Sequence, residues 1–222
     1  MNIYKKNVKT ILISWPILEK VKKMQQYKAG KYRIEIFKEE NINAFSTDNV
    51  NRYDIDYIDK LDYQPSTVIG IKLYYNEKQL TSAVIGATGG ATGIGGNSTI
   101  IEYDRFLICC SDSIFCISIP DLALLWHRQA DEVTCFEIFK YQDTYIVHGE
   151  LNISRLNKNG EVLWQQSGAD IFTTLDGKDD FIVTENYILA TDWENIKYKF
   201  DYDGNVVETT EKTKKHWWKL WK

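Results

Sequence analysis

The run Val84-Ile85-Gly86-Ala87-Thr88-Gly89-Gly90-Ala91-Thr92-Gly93-Ile94-Gly95-Gly96 has the composition to cradle a phosphate, because glycines let a backbone approach an anion closely. Its context argues against that chemistry. A dinucleotide-binding turn needs a helix straight after the glycines, whose N-terminus holds the pyrophosphate. Here Asn97-Ser98-Thr99-Ile100-Ile101 follows and reads as a strand. A P-loop needs Lys-Ser or Lys-Thr after its last glycine, and Gly96-Asn97 occupies that place. The loop is therefore read as a β connection and no cofactor is expected. Six glycines in residues 86–96 are costly to order. That cost keeps one alternative open, a small-ligand or enzymatic β-domain using Thr88, Thr92, Asn97 and Ser98 as polar contacts.

Other reactive side chains are scattered. His127, His148 and His216 form no metal-binding spacing, and Cys109, Cys110, Cys116 and Cys135 contain no C-x-x-C. No metal site is expected, and the cysteines read as buried free thiols of a reducing compartment. No G-x-S-x-G nucleophile elbow occurs. The reading leans away from an enzyme and assigns no catalytic residue. Asp112, Glu150 and Asp192 share one repeat position and read as acidic turn residues, with a cation-binding ring as the sharper alternative.

Two segments have the character of interaction surfaces. In 48–63, Asp54, Asp56, Asp59 and Asp62 alternate with Tyr53, Tyr57 and Tyr63, and Ile55, Ile58 and Leu61 at spacing three predict a short helix. Asp54, Asp56, Tyr57, Asp59 and Asp62 are thus candidate contacts for a basic protein, carboxylates steering and tyrosine supplying area. In residues 212–222, Trp217, Leu220 and Trp221 share one face of a helix and Lys215, Lys219 and Lys222 the other. Trp217 and Trp221 are candidate contacts with the body or with a partner. A helix that short is marginal alone.

The 222 residues are 44% apolar and 14% aromatic, enough for one β-rich soluble domain with an N-terminal attachment. A net charge of −4 argues against nucleic acid as a partner. Lys5, Lys6 and Lys9 before an apolar run could open a signal peptide, but Pro16 breaks the run and a helix from Pro16 to about Gln26 is expected instead. With no 18-residue apolar stretch, the expected location is cytoplasmic and a membrane-surface role is disfavoured.

Three zones are expected: 1–66, a helix/strand segment; 67–209, a β-repeat domain; 210–222, a Lys/Trp tail. The body carries an internal echo. Residues 98–126 recur 38 positions on as 136–164, with Ile100, Tyr103, Ile108, Leu125 and Trp126 matching Ile138, Tyr141, Ile146, Leu163 and Trp164. A stretched third copy starts near Tyr187 and ends at Val207. Short strands at such a period predict stacked antiparallel blades. Expected strands include Thr67–Tyr75, Arg105–Ser111, Thr144–Gly149, Ile171–Leu175 and Tyr187–Thr191, with type I′ turns at Asn159-Gly160 and Asp203-Gly204.

Asn159-Gly160-Glu161-Val162-Leu163-Trp164, with Leu124-Leu125-Trp126 one copy earlier, resembles the outer hairpin of pyrroloquinoline-quinone-type, WD40-like β-propeller blades over residues 100–208. The resemblance implies a Trp packed between neighbouring sheets. It departs from the quinone enzymes in size, with at most four repeats, so the quinone is not carried over. Ser82–Gly93 and Thr191–Asp203 are also similar to bacterial proteins of no assigned activity. The fold expected is all-β, a small or incomplete propeller-like array with an N-terminal α/β attachment and a C-terminal amphipathic tail. The function expected is a non-enzymatic protein-binding module, of the kind that immunity proteins use to neutralise a basic partner.

Overall fold

The computed structural model describes residues 24–40, 52–58, 64–175, 177 and 180–210, and every regular element within them is a strand. The strands are β1 (Met24–Ala29), β2 (Tyr32–Lys38), β3 (Ile55–Ile58), β4 (Thr67–Tyr75), β5 (Lys78–Ala87), β6 (Thr99–Ile101), β7 (Arg105–Cys110), β8 (Ser113–Ser118), β9 (Leu124–Gln129), β10 (Cys135–Tyr141), β11 (Thr144–Gly149), β12 (Asn152–Asn157), β13 (Val162–Ser167), β14 (Phe181–Val183), β15 (Ile188–Thr191), β16 (Lys197–Phe200) and β17 (Val206–Thr209). They build four sheets in chain order. Blade 1 has the order β1-β2-β4-β5-β3, blade 2 β6-β7-β8-β9, blade 3 β10-β11-β12-β13 and blade 4 β14-β15-β16-β17. Each is an antiparallel meander, except that β3 joins the outer edge of blade 1 parallel to β5.

Strands buried on both faces explain the long apolar runs. Side chains alternate across a strand, so a sheet between two others must be apolar on both sides. In β7, Phe106, Ile108 and Cys110 pack with blade 1, while Leu107 and Cys109 pack with blade 3. In β11, Tyr145 and Val147 face blade 2, and Ile146 faces blade 4. Each fully buried Leu, Ile or Phe contributes about 1.5–3 kcal/mol. Three apolar clusters therefore join blade 1 to 2, 2 to 3 and 3 to 4. Among the described residues none joins blade 4 back to blade 1, and the array stays open.

Several sequence expectations change here. Met24–Gln26, expected at the end of a helix, open β1; residues 1–23 lie outside the described residues. Ile55–Ile58 are a strand, not a helical turn. The spacing that matters is two, because Ile55 and Tyr57 face the blade 1/blade 2 core while Ile58 packs on the opposite face. Leu61 lies outside the described residues. Ile171–Leu175 form no strand. Phe172 is fully buried as a plug, its amide bonded to Glu150 O at 2.7 Å, and Phe181–Val183 take the inner-strand place. Because β1, β2 and β3 pair with β4 and β5, blade 1 spans the boundary expected at residue 66.

The outer hairpins differ from type I′. Gly160 and Gly204 have φ of 80° and 87°, but Asn159 and Asp203 stay at negative φ. Each loop is a type I turn closed by a left-handed glycine, and the register slips at Leu163 and Val207, three residues after that glycine. Asn157 Oδ1 accepts the amides of Asn159 and Glu161 at 2.9 and 3.0 Å, and Asp201 Oδ1 those of Asp203 and Asn205 at 2.9 and 2.8 Å. A type I′ pair sits instead at Asn76-Glu77, with φ of 47° and 59°.

Candidate functional site

The repeated Trp locks successive blades together. Trp126 stands on the outermost strand of blade 2 and donates its indole Nε1 to Lys158 O of the blade 3 hairpin at 3.0 Å. Trp164 does the same one blade on, donating to Tyr202 O at 2.9 Å. The glycine of each hairpin lies against the ring, so that an added Cβ would meet Trp126 at 2.6 Å from Gly160 and Trp164 at 2.8 Å from Gly204. Blade 1 uses a different residue for this job. Tyr57, on its outermost strand β3, donates to Leu122 O at 3.0 Å and accepts from Leu124 N at 2.9 Å. Leu122 holds the left-handed place of that hairpin, with φ of 56°.

The candidate partner contacts Asp54 and Asp56 are exposed on or beside this same β3 edge. Asp54 Oδ2 accepts from Ser82 N and Ser82 Oγ, both at 2.8 Å, and Asp56 Oδ1 accepts from Ile58 N at 2.9 Å. Asp59 and Asp62 lie outside the described residues, as do Trp217 and Trp221. On the face of blade 1 turned away from blade 2, Ile58, Val68 and Val84 form a small apolar patch with Tyr53 over it. Tyr53 donates its hydroxyl to the buried Glu39. Burial, and then the Glu39 carboxylate, push this phenol far above its ordinary range. Gly70 makes room for the pair, since a Cβ there would strike Tyr53 Oη at 2.2 Å. Beside it opens a cleft of about 510 Å³ lined by Lys38, Glu39, Glu40, Pro65 and Val68.

The Gly-rich loop is woven into the array. Thr92 is buried; its amide donates to Thr67 Oγ1 at 3.0 Å, and its hydroxyl lies 3.3 and 3.2 Å from Ser111 O and Cys135 O. Ser98 Oγ accepts from Gly95 N at 3.1 Å, and Asn97 Nδ2 donates to Glu137 Oε1 at 3.1 Å. Thr88 contributes its carbonyl to Asp112 N at 3.3 Å. Gly90 N donates to Val133 O at 2.7 Å, and a Cβ on Gly89 would lie 2.4 Å from that same oxygen. Gly89 and Gly90 are therefore needed for the close approach of the loop to Val133 and Thr134.

The three repeat-related carboxylates are also engaged within the fold. Asp112 accepts from Ser113 Oγ and Gln129 Nε2, Glu150 from Thr134 Oγ1, and Asp192 from Ile196 N and Tyr198 Oη. Among the described residues no group of three or more His, Cys, Asp or Glu is placed to hold a metal ion. The four cysteines are buried and free.

Two polar centres stand out in the structure. Asp131, 2% exposed, accepts four backbone amides: Val133 and Thr134 on Oδ1 at 2.7 and 3.0 Å, Leu151 and Asn152 on Oδ2 at 2.9 and 2.8 Å. It ties the β9–β10 connection to the β11–β12 turn. No motif pointed to it, because its repeat equivalent 38 residues on is Ala169. The second is His148, buried between blades 3 and 4. Its Nδ1 faces Glu137 Oε2 at 3.2 Å, its Nε2 faces Phe172 O at 2.8 Å, and its ring stacks on Phe181 at 4.3 Å.

Charge is strongly segregated along the chain. Residues 1–23 hold six Lys against one Glu, and 211–222 five Lys against one Glu. Of the whole-chain −4, this leaves −13 on residues 24–210.

No protein-family model matches the chain, and no curated protein matches it. Solved structures do. The chain is similar to BamB from Moraxella catarrhalis at 14% identity and a TM-score of 0.49, over 85% of this chain and 52% of that one. It is similar to the computationally designed Ika8 protein at 9% identity and a TM-score of 0.47, over 83% and 60% of the two chains. For the designed Ika4 protein the identity is 9%, the TM-score 0.44 and the coverage 55% and 79%. This chain spans about half the length of BamB.

Proposed function

We propose that the protein is a non-enzymatic binding module for a basic protein, docked through the face of blade 1 that is turned away from blade 2. The observation that carries this reading is the charge of the body: −13 over residues 24–210. On the proposed face Glu35, Glu39, Asp54 and Asp56 stand against Lys28, Arg33 and Lys72, by the cross-strand registers of blade 1. Carboxylates grouped in this way steer a cationic partner and set the orientation of encounter. Asp59 and Asp62 adjoin the same strand in sequence. Neutralising a toxic basic protein in the cytoplasm, as immunity proteins do, is the particular form we favour. The Gly-rich loop gives a ligand-binding reading less support, because Thr92, Asn97 and Ser98 already bond to the protein itself.

The test is capture of partners on the tagged full-length protein, followed by titration of the purified partner at rising salt. One stoichiometric basic protein is expected. Its affinity should fall with salt and fall at least about tenfold when Asp54, Asp56, Asp59 and Asp62 are all changed to Asn. A partner that binds equally well to that variant overturns the assignment of the face.

A further inference from the structure

Each blade of this array covers the one before it, until blade 4. In β15, Ile188 and Ala190 face blade 3, and the alternate residue Leu189 faces the opposite way. Register places Ile182, Leu189, Lys199 and Glu208 side by side on that outward face. Ile182 is 38% exposed. The docking device changes here as well. Trp126 and Trp164 are the third residues of β9 and β13, and the third residue of β17 is Glu208. Blade 4 thus has no indole at that position and shows a mixed face, apolar near the inner edge and charged near the outer. A repeat in an open array needs such a face covered.

We propose that the cap is the chain's own segment 211–222, laid across the outward face of blade 4. This rests on the open array and not on the function proposed above. The segment leaves directly from the outermost strand: Thr210 N donates to Lys197 O at 2.9 Å, and Lys197 N to Thr210 Oγ1 at 2.8 Å. From β17 to β14 is three strand spacings, about 14 Å. Twelve residues span about 18 Å as a helix and about 40 Å extended, so either form crosses the sheet. Composition matches the face. Trp217, Trp218 and Trp221 supply apolar cover for Ile182 and Leu189, the part that Trp126 and Trp164 play between earlier blades. The five lysines meet a rim that carries exposed Glu185 at one end of the sheet and exposed Glu194 at the other, while Glu208, between them, pairs with Lys199 at 3.6 Å.

The four native thiols are buried, so a single introduced cysteine reports selectively. Ile182→Cys is made in the full chain, in the full chain with Trp217→Ala and Trp221→Ala, and in a chain ending at Thr210. Labelling by a thiol reagent is timed at several protein concentrations. If the cap is docked at least ten times as often as not, labelling in the full chain is about tenfold slower than in either of the other two, at every concentration. Equal rates in all three overturn the proposal. Protection that grows with protein concentration overturns it too, because a second copy then covers the face. Should the shortened chain fail to fold, the double-Ala variant alone decides.

Discussion

Trp126 and Gly160 sit 34 residues apart in the sequence and pack face to face: the indole lies where a Cβ on that glycine would stand, 2.6 Å away. The same indole donates to Lys158 O, two residues before the glycine, at 3.0 Å. Two demands coincide at Gly160. Its φ of 80° is costly for an L side chain, and its missing Cβ is the seat of the ring. Gly204 and Trp164 repeat the arrangement.

This pairing predicts a strong coupling. Trp126→Ala should cost about 2–4 kcal/mol, below the range for a fully buried Trp because the ring keeps some exposure. Gly160→Ala should cost about 2–4 kcal/mol in the native chain, from backbone strain plus displacement of the ring. In the Trp126→Ala background the same change should cost only the strain, about 1–2 kcal/mol. Chemical denaturation of the four proteins gives the cycle. Additive losses would mean that the indole does not bear on Gly160.

Asp131 should be among the most sensitive polar positions. Removing its carboxylate by Asp131→Ala leaves four amides without an acceptor, those of Thr134 and Asn152 buried, at a cost of about 3–5 kcal/mol. Asp131→Asn keeps one acceptor oxygen and should cost less, about 1–3 kcal/mol. Gly149→Ala tests the same centre from outside, because its Cβ would fall 2.3 Å from Asp131 Oδ2. Urea midpoints of the three variants measure this. A loss under about 1 kcal/mol in Asp131→Ala would show that water replaces the carboxylate.

Acid should weaken the junction of blades 3 and 4. The hydrogen bond between His148 and Glu137, helped by Asn97, holds the Glu137 carboxyl below its usual range despite the opposing effect of burial. A carboxyl depressed in the folded state stabilises the fold above its unfolded value of about 4.3. That contribution is lost as pH falls through the lower folded value. The native chain should therefore lose more stability between about pH 5 and pH 3 than Glu137→Gln does. Denaturation midpoints at the two pH values check the sign; parallel losses would remove Glu137 as the titrating group.

Native thiols should be silent. Burial pushes all of Cys109, Cys110, Cys116 and Cys135 up, Cys116 to about 12 even with Arg105 opposing, so almost no thiolate exists at neutral pH. A chromogenic disulfide reagent at about pH 8 should leave the folded protein unlabelled over minutes and find four thiols in guanidinium. Fast reaction of any one thiol in the folded state would place it outside the core.

Local pattern was enough to locate most of the strands. Thr67–Tyr75 and Thr144–Gly149 fall where alternation and turn residues put them. The 38-residue echo identified Trp126 and Trp164 as equivalent because each blade solves the same packing problem with the same residue. Errors came where a partner from another part of the chain decided. Ile55 and Ile58 suit a helix by spacing, but the open edge of β5 offers backbone hydrogen bonds that a strand can use. Ile171–Leu175 suit a strand by composition, but Phe172 is drawn into the core beside Tyr198.

Sequence alone determined the all-β class and the repeat that makes Trp126 and Trp164 equivalent, because those depend on period, turn chemistry and side-chain size within about 40 positions. Only the tertiary structure decided that no apolar cluster of the described residues joins blade 4 to blade 1, that Tyr57 replaces Trp at the first junction, and that Thr92, Asn97 and Ser98 bond within the fold. Those outcomes depend on which sheet faces and amides remain to be covered once the blades have stacked, and that is a property of the packed chain and not of any segment in it.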